Sequence, residues 1–223
     1  MRATLSATFA GTGRLIHADE NFGRLQTWAE CPGPEALGSA TFFAEVQQSI
    51  EQARPVADPV VRVLRGRLPP FSSTTPTSDE MGPPPLPAAA TAGRYNAGGQ
   101  AVLYCATSEE GVRRELRDRG NELWGQQFAI PTSHVRIADF RVSAHPERHL
   151  LNNLFWFTEL AGADGYPAQV FSQYVAGMVA TRFQAMLVPG VRGSVGERYE
   201  NLIVFEPVTR WRDWLEPTKP YRL

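Results

Sequence analysis

The segment Gly93-Arg94-Tyr95-Asn96-Ala97-Gly98-Gly99-Gln100 reverses the chain and delivers it straight into the apolar run 101–106. Glycines permit the tightly turned backbone that such a reversal needs. The run is short and apolar enough to be a buried strand. Ser108 is placed to cap a helix behind it, with Glu109 and Glu110 suiting the helix dipole. Val112, Glu115 and Leu116 then recur at helical spacing, which puts a carboxylate on an otherwise apolar face. The chain is thereby committed to a turn, a strand and a helix in quick succession. Arg94 lies at the sheet surface, Tyr104 on the strand and Glu115 on the inner face of the helix. On spacing alone this is either a ligand site or a glycine-rich turn carrying a structural Arg94–Glu115 ion pair.

Elsewhere the strands are short. Residues 58–65 alternate, with Val61, Val63 and Arg65 on one face and Val60, Arg62 and Leu64 on the other. Residues 135–142 alternate again, and 185–188 and 201–205 read as further strands. Three more helices are expected. One runs from a Thr41 cap through Phe42, Phe43, Val46 and Ile50. A second covers 147–160, striped by Leu150, Leu154 and Phe157. A third covers 167–183, with Pro167 near its first turn. By composition the proline-rich stretch 68–93 reads as a flexible linker. The sum is an α+β protein and not a βαβ array. Residues 1–57 look like an N-terminal extension with an amphipathic helix, either part of the fold or an interaction surface. Residues 207–223 look like a C-terminal tail lying across the surface.

Charge and standard motifs exclude several classes. The formal net charge is -1, which supplies no basic field for a nucleic acid. Lys219 is the only lysine, so no phosphate-binding GxxxxGK[ST] loop exists. Gly11-Thr12-Gly13 lacks the third glycine of a dinucleotide fingerprint, and Gly193-Ser194-Val195-Gly196 has the wrong spacing for a nucleophile elbow. His145 and His149 read as a surface pair at a helix start, with no third metal ligand. Cys31 and Cys105 are too far apart in sequence for a zinc ribbon and fit a reducing compartment, with Cys105 in the core. No stretch reaches a membrane span and the N-terminus lacks a signal-peptide core, so a cytoplasmic protein is expected.

The pattern G-R-Y-N-x-G-G-x-x-x-L-Y-x-A-x-S…E resembles the signature of the RES-domain family. Val61-Arg62-Val63-Leu64-Arg65, Met81-Gly82-Pro83-Pro84-Pro85 and Asn201-Leu202-Ile203-Val204-Phe205 resemble the family's opening strand, its proline run and its closing strand. The resemblance spans residues 58–206. It implies a split, strongly bent β-core with surrounding helices, like that of ADP-ribosyltransferase toxins, with the proline-rich stretch ordered over the sheet. It also implies a toxin with a cognate antitoxin protein, depleting NAD by glycohydrolysis or phosphorolysis. NAD is then substrate, with no cofactor. Mono-ADP-ribosyl transfer to a protein or nucleotide, or silent NAD binding, are the alternatives. A homo-oligomer is compatible with the sequence but not specified by it.

Within that resemblance Arg94, Tyr104 and Glu115 are the catalytic set. Arg94 suits bidentate contact with the pyrophosphate, Tyr104 suits stacking on nicotinamide, and Glu115 suits positive charge building on the ribose. Tyr95, Asn96, Ser194, Asn201 and Arg62 are candidate NAD contacts, with Arg65 an alternative to Arg62. One departure stands out. Gly190 occupies the position where the family carries a serine, so either Ser194 or the Gly190 backbone N–H takes over.

Overall fold

The computed structural model describes residues 40–84, 93–97, 99–116, 122–141, 166–190, 199–205, 211–213 and 216–223. In chain order these form α1 (Ala40–Glu51), β1 (Arg54–Pro55), β2 (Val60–Arg67), α2 (Ser78–Met81), β3 (Leu103–Ala106), α3 (Glu109–Glu115) and β4 (Trp124–Pro131). There follow β5 (Ile137–Asp139), α4 (Tyr166–Ala180), β6 (Ala185–Pro189), β7 (Glu200–Val204), a short 3-10 turn (Trp211–Asp213), β8 (Glu216–Pro217) and β9 (Tyr221–Arg222). The strands make one sheet in the order β1-β5-β6-β7-β3-β2-β4-β8, with β9 also on β4. Among the described residues only β5 and β6 run parallel. The α+β expectation is met.

The sheet is bent. β4 and β5 lie five strand positions apart, which in a flat sheet is roughly 24 Å. Yet a tight turn joins them, closed by Val135 N–H donating to the Pro131 carbonyl at 3.2 Å. Only a sheet curled toward one face can be bridged this way. That inner face is filled from strands and their connections: Val61, Val63, Leu103, Cys105, Phe128, Ile130, Ile137, Leu187 and Leu202. The opposite face carries helices. Val46 and Ile50 of α1 and Val175 and Val179 of α4 pack over Met186, Val188 and Ile203. Alongside, α3 packs Val112 with Leu64, Ala106, Leu123 and Tyr199. Period-2 alternation sends Tyr104 and Ala106 of β3, and Asn201 and Ile203 of β7, to this helix-covered face.

The described part of the proline-rich stretch, residues 68–84, is ordered over the sheet, as the family resemblance and not the composition implies. A capping box makes it so. Thr77 accepts from the Glu80 N–H, and the Glu80 carboxylate accepts from the Ser72 and Thr77 N–H groups. Arg67 donates to the Glu80 carbonyl and Met81 is fully buried, so the segment is pinned to the sheet.

Several sequence expectations shift. The first helix begins at Ala40, so Thr41 lies in its first turn and is not the cap. The strand expected at 135–142 is only Ile137–Asp139, with all three residues buried. β4 is not expected from the sequence. Its buried face reads Gln126, Phe128, Ile130, and the glutamine hides the apolar alternation. Gln126 is tolerated there because its amide donates to Ser78 Oγ at 2.9 Å and to the Thr218 carbonyl at 2.6 Å. The expected helix 147–160 lies outside the described residues, as do Cys31, His145 and His149. Among the described residues no helix is long and apolar enough to cross a membrane.

Candidate functional site

The site grows out of the 93–100 turn. Gly93 and Asn96 bridge across it, with the Gly93 N–H donating to the Asn96 carbonyl at 3.0 Å. Asn96 donates its side-chain amide to the carbonyls of Ala97 and Gln100, both at 3.1 Å. Gly99 takes the left-handed backbone, φ 85°, that completes the reversal. From β3 the Tyr104 hydroxyl donates to Asn96 Oδ1 at 2.7 Å and accepts the Tyr95 N–H at 2.9 Å. From α4, Gln173 donates to the Gly93 carbonyl at 2.7 Å. Gly93 must be glycine for this approach, because a Cβ there would lie 2.4 Å from Asn96 Oδ1 and 2.8 Å from the Tyr104 oxygen.

This network holds Arg94. Its guanidinium carbon sits 4.9 Å from the centre of the Tyr95 ring, a cation–π contact. Tyr95 is itself core, only 3% exposed, and its ring tilts against Tyr104 with centroids 6.3 Å apart. Tyr95 and Asn96 are both buried, packed and hydrogen-bonded behind Arg94.

Glu115 approaches from the other side. It ends α3, whose start is capped by Ser108 accepting from the Gly111 N–H at 3.0 Å. Tyr199 donates its hydroxyl to Glu115 Oε1 at 2.7 Å, and Asn201 donates its amide to the same oxygen at 2.6 Å. These donors answer the cost of a carboxylate on an apolar helix face. Asn201 thus serves the carboxylate.

Arg94 and Glu115 share one electrostatic neighbourhood with the two phenols. Burial pushes the Tyr95 hydroxyl up to about 12, with Arg94 pulling it down and Glu115 adding to the rise. Burial likewise raises Tyr104, with the Tyr95 N–H bond and Arg94 pulling it down and Glu115 adding to the rise. Both phenols are neutral at physiological pH, and the Tyr104 hydroxyl is engaged with Asn96 and the Tyr95 N–H. Its ring remains partly exposed.

Arg62 is not brought to this cluster. β2 and β3 are antiparallel with Leu64 opposite Ala106, which places Arg62 four ladder positions, roughly 13 Å, from the level of Tyr104. Arg65 is the β2 arginine that touches β3, donating to the Tyr104 carbonyl at 3.0 Å. Burial lowers Arg65 to about 10, while the same burial lifts the neighbouring Cys105 thiol to about 12. Ser194 lies outside the described residues. The Gly190 N–H donates to the Tyr199 carbonyl at 2.8 Å, so it is engaged in the fold and does not stand in for the family serine.

Tyr199 and Gln173 are the residues sequence reasoning passes over. Tyr199 had a signal: it stands two residues before Asn201, and period-2 alternation sends both to one face. Gln173 had none, since its contact depends on how α4 crosses the sheet.

Comparison with curated proteins gives no match. A family model described as the RES domain matches residues 59–220, most of the chain, and takes in the turn, β3, α3 and β7 that build the site. The chain belongs to the RES-domain family.

Proposed function

We propose that the protein is a toxin-like enzyme that cleaves the nicotinamide–ribose bond of NAD. The observation that carries this reading is Glu115 Oε1 gripped by two neutral donors on the same sheet face as the turn presenting Arg94. NAD asks for that combination. Its nicotinamide is already cationic, so it leaves without a proton. The transition state is oxocarbenium-like, so a fixed negative charge near the anomeric carbon does more than a strong acid. Glu115 supplies the charge. Arg94 takes the pyrophosphate by paired N–H donation, and the partly exposed Tyr104 ring offers nicotinamide a stacking face. Hydrolysis releases nicotinamide, ADP-ribose and a proton; phosphorolysis releases nicotinamide, ADP-ribose phosphate and a proton. NAD is the substrate and no cofactor is required. The resemblance adds a cognate antitoxin protein as partner.

The test is incubation of purified protein with NAD, with and without phosphate, and identification of products by mass. NAD should fall and nicotinamide appear. Glu115→Gln and Arg94→Ala should each slow this by at least ~100-fold with the fold retained. Unchanged NAD in both buffers removes the proposal, and label from NAD appearing on a macromolecule redirects it to ADP-ribosyl transfer.

A further inference from the structure

Tyr199 is seated more tightly than burial of an aromatic ring requires. Its ring lies between Gly111 of α3 and Gly190 at the end of β6. A Cβ on Gly111 would come within 2.6 Å of the ring, and one on Gly190 within 2.2 Å. Neither glycine has a positive φ, so the backbone conformation does not demand them. What demands them is the space the ring fills. The backbone adds a second restraint, with Gly190 donating to the Tyr199 carbonyl at 2.8 Å. At the far end of this clamped ring the hydroxyl donates to Glu115 Oε1 at 2.7 Å.

Glu115 needs such a restraint. It is the last residue of a seven-residue helix, where the backbone frays readily, and its side chain has several rotatable bonds. Asn201 reaches the same oxygen from β7, two residues along the same stretch of chain. The short stretch from Tyr199, just before β7, to Asn201 within it therefore offers two donors to one carboxylate oxygen.

We infer that Tyr199 is a positioning residue for Glu115. The glycine pair fixes the ring, the ring fixes the hydroxyl, and the hydroxyl with Asn201 sets the plane in which the carboxylate meets its substrate. This rests on the proposed role of Glu115 at the ribose. Orientation of a charge toward a developing oxocarbenium centre is felt in the transition state more than in ground-state binding. Loss of the hydroxyl should consequently act on kcat before KM.

Tyr199→Phe keeps the ring and its packing and deletes only the donor. Two measurements are made on it: NAD turnover, and the side-chain carboxyl resonance of Glu115 in carbon-13 glutamate-labelled protein without substrate, assigned through Glu115→Gln. The expected result is a displaced Glu115 resonance, kcat lower by about 10–100-fold, and KM within ~3-fold of the parent. Gly190→Ala, with every polar group intact, should displace the same resonance by pushing the ring. An unmoved resonance in Tyr199→Phe overturns the inference, as does parental kcat with a moved one. If the unsubstituted protein leaves NAD intact while the resonance moves, the grip of Tyr199 on Glu115 is supported and the NAD proposal is what fails.

Discussion

The Tyr104 hydroxyl donates to Asn96 Oδ1 at 2.7 Å, so a residue on a central strand fixes the turn that carries Arg94. The same oxygen accepts the Tyr95 N–H at 2.9 Å. Two consecutive turn residues, Tyr95 and Asn96, are thereby tied to the sheet through one phenol, directly after Arg94. In the proposed reaction a guanidinium held this way would meet the pyrophosphate already oriented, which reduces the ordering cost of binding.

Tyr104→Phe should expose how much depends on that phenol. The change leaves a Tyr95 N–H and an Asn96 oxygen without their present partner, which costs about 1–3 kcal/mol in stability. Urea unfolding should report this as a lower midpoint with an unchanged slope. NAD cleavage should fall as well, because Arg94 loses its fixed base.

Gly66→Ala tests whether α3 depends on close approach to β2. A Cβ at Gly66 would lie 2.2 Å from Val112 of α3 and 2.9 Å from Leu116, which caps its C-terminus. Overpacking of this kind costs about 1–3 kcal/mol and shifts the helix that ends at Glu115. Thermal unfolding should show the loss, and NAD cleavage should drop with it. A stability equal to the parent would show that α3 moves aside without penalty.

The ordered proline-rich stretch should loosen in acid. Hydrogen bonds from the Thr77 and Ser72 backbones hold the Glu80 carboxyl down at about 2, against its ordinary 4.5. A carboxyl whose folded value is depressed stabilises the fold above its ordinary value. That contribution is lost as pH falls through the folded one. The window is therefore from about 4.5 down to 2. Amide exchange at Ser72 and Thr77 should accelerate across it, and Glu80→Gln should abolish the dependence.

Ile50→Ala asks whether the helix preceding the family match belongs to the folding unit. Ile50 is 2% exposed and shares a core with Val175 and Val179 of α4. Its truncation should cost about 2–5 kcal/mol by chemical denaturation, in a single cooperative transition. A change below ~0.5 kcal/mol would mark α1 as a detachable extension.

Local signals in the sequence determined the turn at Gly93, the strand through Tyr104 and the Ser108-capped helix to Glu115. Those elements depend on backbone preference and on the period of apolar residues, and both are written within a few neighbours. They were enough to nominate Arg94, Tyr104 and Glu115 together. They could not assign roles, because roles depend on partners far along the chain. Tyr199 and Asn201 meet Glu115 from more than eighty residues away, and Gln173 meets Gly93 from eighty. β4 was hidden for the same reason: a buried Gln126 is readable as core only once Ser78 and Thr218 are beside it. The tertiary structure alone decided that Tyr95 and Asn96 stand behind Arg94, that Arg62 lies apart, and that Gly190 makes room for a ring. Each follows from packing and hydrogen-bond accounting across the bent sheet, which no local pattern encodes.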